Sequence, residues 1–183
     1  MPEDLLVQCC APTLAGIKTG SLFTCPFADK EELTRDLRLL NRSLAGRGLR
    51  ILSLRYSAGR ALLYLFRPDR LREDLKNRSA QEILAQAGYE GLAADQCLVR
   101  LIRRLRETGD FPHEIGLFLS YPPEDVRGFI ENHAQNYKFI GYWKVYGDEA
   151  AARRTFEKYR KCTDSYCKRL SDGCALCQLA VAV

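Results

Sequence analysis

The chain is short of the residues that most site chemistry needs. In 183 residues there are two histidines, one tryptophan and one methionine. The histidines are His113 and His133. They have no carboxylate at a matching spacing, so a zinc-hydrolase motif is excluded. No Walker loop, dinucleotide fingerprint, Gly-x-Ser-x-Gly elbow or EF-hand loop is present. That removes the easily recognised nucleotide, hydrolase and calcium classes and leaves other enzymes open. No apolar run approaches the ~20 residues that span a bilayer. The opening Met1-Pro2-Glu3-Asp4 is acidic and lacks a basic-then-apolar signal pattern. The expectation is a cytoplasmic protein with no membrane partner.

What is present reads as a globular chain. Hydrophobic residues make up 46% and charged residues 28%. The length suits one compact domain over residues 1–183, large enough to be stable without a disulfide or metal staple. Net charge is +5, and the cations are 20 Arg against 8 Lys. Such a balance fits a solvated surface or an anionic ligand. There are eight cysteines: Cys9, Cys10, Cys25, Cys97, Cys162, Cys167, Cys174 and Cys177. In a cytosolic chain they read as reduced thiols, metal ligands or redox groups.

Periodicity predicts an α+β order of about six strands and six helices. Pro12 is expected to stop a first short helix, and Ser21–Cys25 reads as a strand. Asp29 with Glu32 opens a helix whose stripe is Leu33, Leu37, Leu40 and Leu44, ending near Gly46. Residues 49–56 and 60–66 form a hairpin around the three-residue loop Ser57-Ala58-Gly59. Ser79 with Glu82 reads as a capping box, and residues 93–107 as an amphipathic helix ended by Gly109. Residues 113–119 read as a strand, and Pro123 starts a helix that runs to about Ala134. Tyr137–Tyr146 reads as a long aromatic strand with a bulge at Gly141. Asp148 caps a long helix, and residues 174–183 read as a last strand. The predicted architecture is a single domain with a mixed, mostly antiparallel sheet covered by helices.

Three groups of residues can carry chemistry. Cys10 sits at an element end within chain reach of Lys18, and a nearby cation favours a thiolate. His113 with Glu114 falls at a strand start, where a proton-transfer pair is well placed. Cys162, Cys167, Cys174 and Cys177 space as C-x4-C-x6-C-x2-C. On a helix the first two point about 140° apart. On a strand the second two face opposite sides. No metal site is assigned to them. The aromatic strand, with Tyr142, Trp143 and Lys144, offers rings and a cation to a ligand. It lacks the spacing of an RNA-recognition strand, which argues against nucleic acid. The helix over 149–171 carries seven cations against three acids.

Three stretches together resemble a known family. They are Cys10-Ala11-Pro12-Thr13-Leu14-Ala15-Gly16-Ile17-Lys18, residues 113–122 from His113 to Pro122, and Asn136-Tyr137-Lys138 with Gly141-Tyr142-Trp143-Lys144-Val145-Tyr146. The resemblance is to the bacterial family catalogued as domain of unknown function 3793, over nearly the whole chain. It implies a bacterial cytosolic protein of anaerobes and points toward iron or redox physiology, without a known activity, cofactor or catalytic residue. Cys174 and Cys177 fall outside these stretches.

Two functional expectations follow. The first is a small-molecule-binding or thiol/redox protein with one pocket near Cys10, Lys18, His113 and Glu114, and with Tyr142, Trp143 and Lys144 as ligand-binding residues. The second is a non-enzymatic module that docks an anionic partner on the Tyr137–Tyr146 strand and the basic 149–171 helix. The sequence names no cofactor.

Overall fold

The computed structural model describes residues 2–107 and 111–182. Its elements are α1 (Glu3–Leu14), β1 (Gly20–Pro26), α2 (Lys30–Ala45), β2 (Arg50–Ser57), β3 (Arg60–Phe66), α3 (Pro68–Asp74), α4 (Arg78–Gln86), α5 (Ala94–Glu107), α6 (Ile115–Phe118), α7 (Pro123–Glu131), β4 (Phe139–Ile140), β5 (Lys144–Val145), α8 (Glu149–Ser171) and α9 (Leu176–Leu179). The class is α+β, but the expected single sheet of about six strands is not formed. Among the described residues the strands make a three-stranded sheet of order β1-β3-β2 and a two-stranded sheet of β4 and β5. All pairings are antiparallel. The chain clusters into two compact units. Unit 1 is Met1–Asp69 with Tyr159–Val183, and unit 2 is Arg70–Lys158.

Unit 1 is built on the hairpin. Pairing of Ser57 with Arg60 leaves a two-residue turn, Ala58-Gly59, shorter than the three-residue loop expected. Both turn residues have positive φ, 46° and 70°. That is the mirror-image turn whose twist matches a hairpin, and Gly59 is suited to it. β3 is apolar along Ala61–Phe66 and takes the central position, with neighbours on both edges. On one sheet face Phe23, Cys25, Ala61, Leu63, Leu65 and Ile51 join the core. Leu6, Val7, Cys10, Ala11 and Leu14 of α1, with Leu33, Leu37 and Leu44 of α2, complete it. Asn41 of α2 clasps the outer strand: its Nδ2 donates to the Ile51 carbonyl at 2.8 Å, and its Oδ1 accepts from the Ile51 N–H at 2.9 Å. An otherwise open strand edge is thereby covered.

Arg67 holds this unit together. It is 2% exposed, yet it carries a permanent charge. Its guanidinium donates to the carbonyls of Thr13, Leu14, Arg47 and Val181 at 2.8–3.1 Å. Two of those carbonyls lie in the last turn of α1, where the helix supplies no internal donors and its dipole favours a cation.

Unit 2 is mainly helical. Asn77, not Ser79, caps α4 through the Ser79 and Ala80 N–H groups. Pro123 opens α7 as expected, but the helix ends at Glu131. His133, Ala134 and Asn136 then adopt positive φ. Left-handed backbone in non-glycine residues stops a helix sharply. Three expected strands are corrected. Residues 115–118 form the helical turn α6, and residues 176–179 form α9 in unit 1. Both are short apolar runs, which periodicity alone does not assign. The Tyr137–Tyr146 strand folds into a hairpin of two-residue strands, with Gly141 at its turn and not in a bulge. Pro12 also lies inside α1 and does not end it. The expected helix stop at Gly109 lies outside the described residues.

Replacing Arg67 by Met would remove the four charge-assisted hydrogen bonds that tie the end of α1 to Arg47 and Val181, leaving the Thr13 and Leu14 carbonyls only the Gly16 and Val181 N–H groups. We expect a loss of about 3–5 kcal/mol of unfolding free energy, read as a lower urea midpoint. A midpoint equal to that of the native protein would contradict this assignment.

Candidate functional site

The residues singled out by sequence divide between the two units. Cys10 and Lys18 lie in unit 1, and His113, Glu114, Tyr142, Trp143 and Lys144 lie in unit 2. Each group has its own environment.

In unit 1, Cys10 is fully buried on the core face of α1. Burial pushes its thiol far up, and the opposing pull of Lys18 is weaker. This is the reverse of the activated thiolate the sequence suggested, because the proximity of a cation is outweighed by desolvation. Cys9 is exposed, and its thiol is also raised by burial of part of its surface. Lys18 is itself buried, and desolvation lowers its ammonium to about 8. Thr13, Thr19 and Ser21 are buried as well, with Thr13 Oγ1 and Ser21 Oγ 2.9 Å apart and Ser21 also bonded to Cys10. The cluster is a polar seam within the core.

Cys162 and Cys167 lie on α8, Cys174 lies just before α9, and Cys177 lies within it. Cys174 Sγ is 3.5 Å from Gln178 Oε1. Among the described residues no group of three or more His, Cys, Asp or Glu side chains is arranged to hold a metal.

In unit 2, Glu114 is also buried, and it is tied down. Its Oε1 accepts from Arg104 Nη1 at 2.6 Å and from Tyr89 Oη at 2.8 Å. Arg104 also donates to the Ala87 carbonyl and lies over the Tyr89 ring. Burial, followed by the hydrogen bond and charge of Glu114, pushes the Tyr89 phenol up. The partners come from α5 and from the loop after α4, 10 and 25 residues away, so the sequence pattern around Glu114 carried no sign of them.

His113 is exposed and sits where two cavities meet. One, of about 450 Å³, is lined by Arg104, Glu114, Arg127 and Glu131 among others. The other, of about 410 Å³, is lined by His113, Phe129, Tyr142, Trp143 and Lys144 among others. Thus the structure brings His113 together with the three residues of the hairpin that sequence had set apart. The His113 ring meets Phe129 edge-on, with centroids 5.0 Å apart.

The cavity wall is held rigidly. Asp125, 3% exposed in the first turn of α7, accepts from Trp143 Nε1 at 2.6 Å through one oxygen. Its other oxygen accepts from the backbone N–H groups of Tyr146 and Gly147 at 2.7 and 2.8 Å. Tyr121 stacks on Trp143 at 4.8 Å, and Phe156 of α8 meets Trp143 edge-on at 4.4 Å. A Cβ at Gly141 would overlap the Phe156 ring, so only glycine lets the hairpin turn close onto α8. Lys144 Nζ donates to the Ala134 carbonyl at 2.8 Å and lies 4.7 Å from the Tyr137 ring centre. Asp125, Tyr121, Phe129 and Phe156 are the site residues that sequence reading missed.

The rim of this cavity is largely apolar and exposed. Phe111 is 38% exposed, Tyr142 45% and Ile140 54%. Large exposed apolar side chains gathered at one concavity mark a binding surface more often than a resting surface does.

Fold and site together define an α+β protein with an aromatic-lined cavity in its helical unit. The chain belongs to the family described as "Protein of unknown function (DUF3793)", whose model matches residues 6–180. A search of curated proteins and one of solved structures return no significant match.

The Lys18 environment has a pH signature. An unfolded lysine holds its proton to about pH 10.4, whereas folded Lys18 releases it near 8. Between those values the unfolded chain binds more protons, so the Lys18 contribution to stability rises with pH. The difference in unfolding free energy between native protein and Lys18→Met should therefore grow in favour of the native protein from pH 7.5 to 10. A difference independent of pH would refute the buried ammonium.

Proposed function

We propose that the protein binds a flat, largely apolar small molecule in the cavity lined by His113, Phe129, Tyr142, Trp143 and Lys144. The observation that carries this reading is the convergence of these residues on one concavity of about 410 Å³ with an exposed aromatic rim. That volume lies within the range of small-molecule sites, and such sites combine apolar walls with a few placed polar groups. Rings that are already ordered lose little entropy when a ligand stacks on them. Asp125, Tyr121 and Phe156 order Trp143 in this way.

The thiol half of the sequence expectation is not taken into this reading, since burial keeps Cys10 protonated. Nor is the docking alternative. The hairpin presents no continuous aromatic strand, and on α8 Arg153 is already bound to Glu149 and stacked over Phe139.

Trp143 is the only tryptophan, so its fluorescence reports on the cavity alone. Titration with 2-naphthamide, a flat neutral probe, should quench it saturably. Tyr142→Ala should weaken that binding about fivefold or more while leaving the thermal midpoint within a few degrees. Absence of saturable quenching at the solubility limit of the probe would overturn the reading.

A further inference from the structure

The polar groups of the cavity are not balanced between donors and acceptors. Both oxygens of Asp125 are occupied by three N–H groups, and Trp143 Nε1 is spent on Asp125. The Tyr121 hydroxyl donates to the Tyr142 carbonyl at 3.3 Å. Two groups along the wall keep capacity to donate. Lys144 carries three N–H donors and uses one on the Ala134 carbonyl. It also lies over the faces of Phe129 and Tyr137, and among the described residues it has no carboxylate partner. His113 touches Phe129 by ring contact, and its nitrogens have no hydrogen-bond partner among the described residues.

A half-buried cation beside apolar walls is poorly hydrated, and aromatic faces compensate it only in part. An anion entering the cavity would meet that charge away from bulk water, where the attraction is strongest. Among the described residues that line this cavity the one carboxylate is Asp125, which is already bonded to three N–H groups and so offers little to a ligand cation. Resting on the pocket reading above, we propose that the ligand is an aromatic acid. Its flat body lies against Trp143, Tyr142 and Phe129. Its carboxylate, or a comparable oxyanion, pairs with Lys144 and accepts a hydrogen bond from His113.

Two probes of the same shape separate charge from stacking. Binding of 2-naphthoate and of 2-naphthamide is followed by Trp143 fluorescence at low salt. The expected result is that naphthoate binds at least tenfold more tightly. Added salt should weaken naphthoate and leave the amide unchanged. Lys144→Gln should remove the preference by weakening naphthoate alone, and Lys144→Arg should retain it. Unchanged amide affinity in Lys144→Gln shows that the cavity survives the substitution. Equal affinity for the two probes would overturn the acid assignment and leave the pocket reading standing. A preference that persists in Lys144→Gln would overturn the role of Lys144. Failure of both probes to bind would overturn the pocket itself and this inference with it.

Discussion

The arrangement of unit 2 around its cavity depends on one buried carboxylate. Asp125 accepts three hydrogen bonds, one from an indole and two from consecutive backbone N–H groups. Charge-assisted bonds of this kind are about twice as strong as neutral ones. Left without these partners, the same carboxylate would be costly to bury. The interaction is therefore close to all-or-none. It fastens the start of α7 to the residues just after β5, and it fixes the plane of Trp143. The aromatic wall, the close approach of the turn to Phe156 and the position of Lys144 all follow from where Asp125 holds the hairpin.

Unit 1 obeys the same rule with the opposite charge. Arg67 is a buried cation satisfied by backbone carbonyls, and it gathers the end of α1, the turn before β2 and the segment after α9. In both units one buried charged side chain gathers backbone groups from element ends. The polar seam of Cys10, Thr13, Lys18 and Ser21 lies in the same region of α1 and β1. Burial raises the Cys10 thiol against the pull of Lys18, the opposite direction to the one their proximity in sequence suggested.

Much of the architecture was legible where physical signals were local. Of the α2 stripe, Leu33, Leu37 and Leu44 are buried as their spacing required and Leu40 is half-buried against the same core, and the β2–β3 hairpin lies where expected with a turn one residue shorter. The long helix starts after Asp148, whose side chain accepts from the Ala151 N–H at 2.9 Å. Signals failed where short apolar runs carry no period, as at residues 115–118 and 176–179. The site was half legible. Trp143, Lys144 and His113 were recognised as candidates, but their convergence on one cavity depends on α7 lying between them in the chain. Glu114 was singled out without its partners, because Tyr89 and Arg104 reach it from 25 and 10 residues away. No local pattern encodes partners at that range.

The most direct test of this account is the indole N–H resonance of Trp143 in a proton–nitrogen correlation spectrum. With one tryptophan there is one such signal. The account predicts a resonance shifted well downfield by the Asp125 bond, protected from solvent exchange, and moved saturably by 2-naphthoate. A resonance at the position of a free indole, exchanging rapidly and unmoved by millimolar probe, would contradict both the buried carboxylate and the cavity it organises.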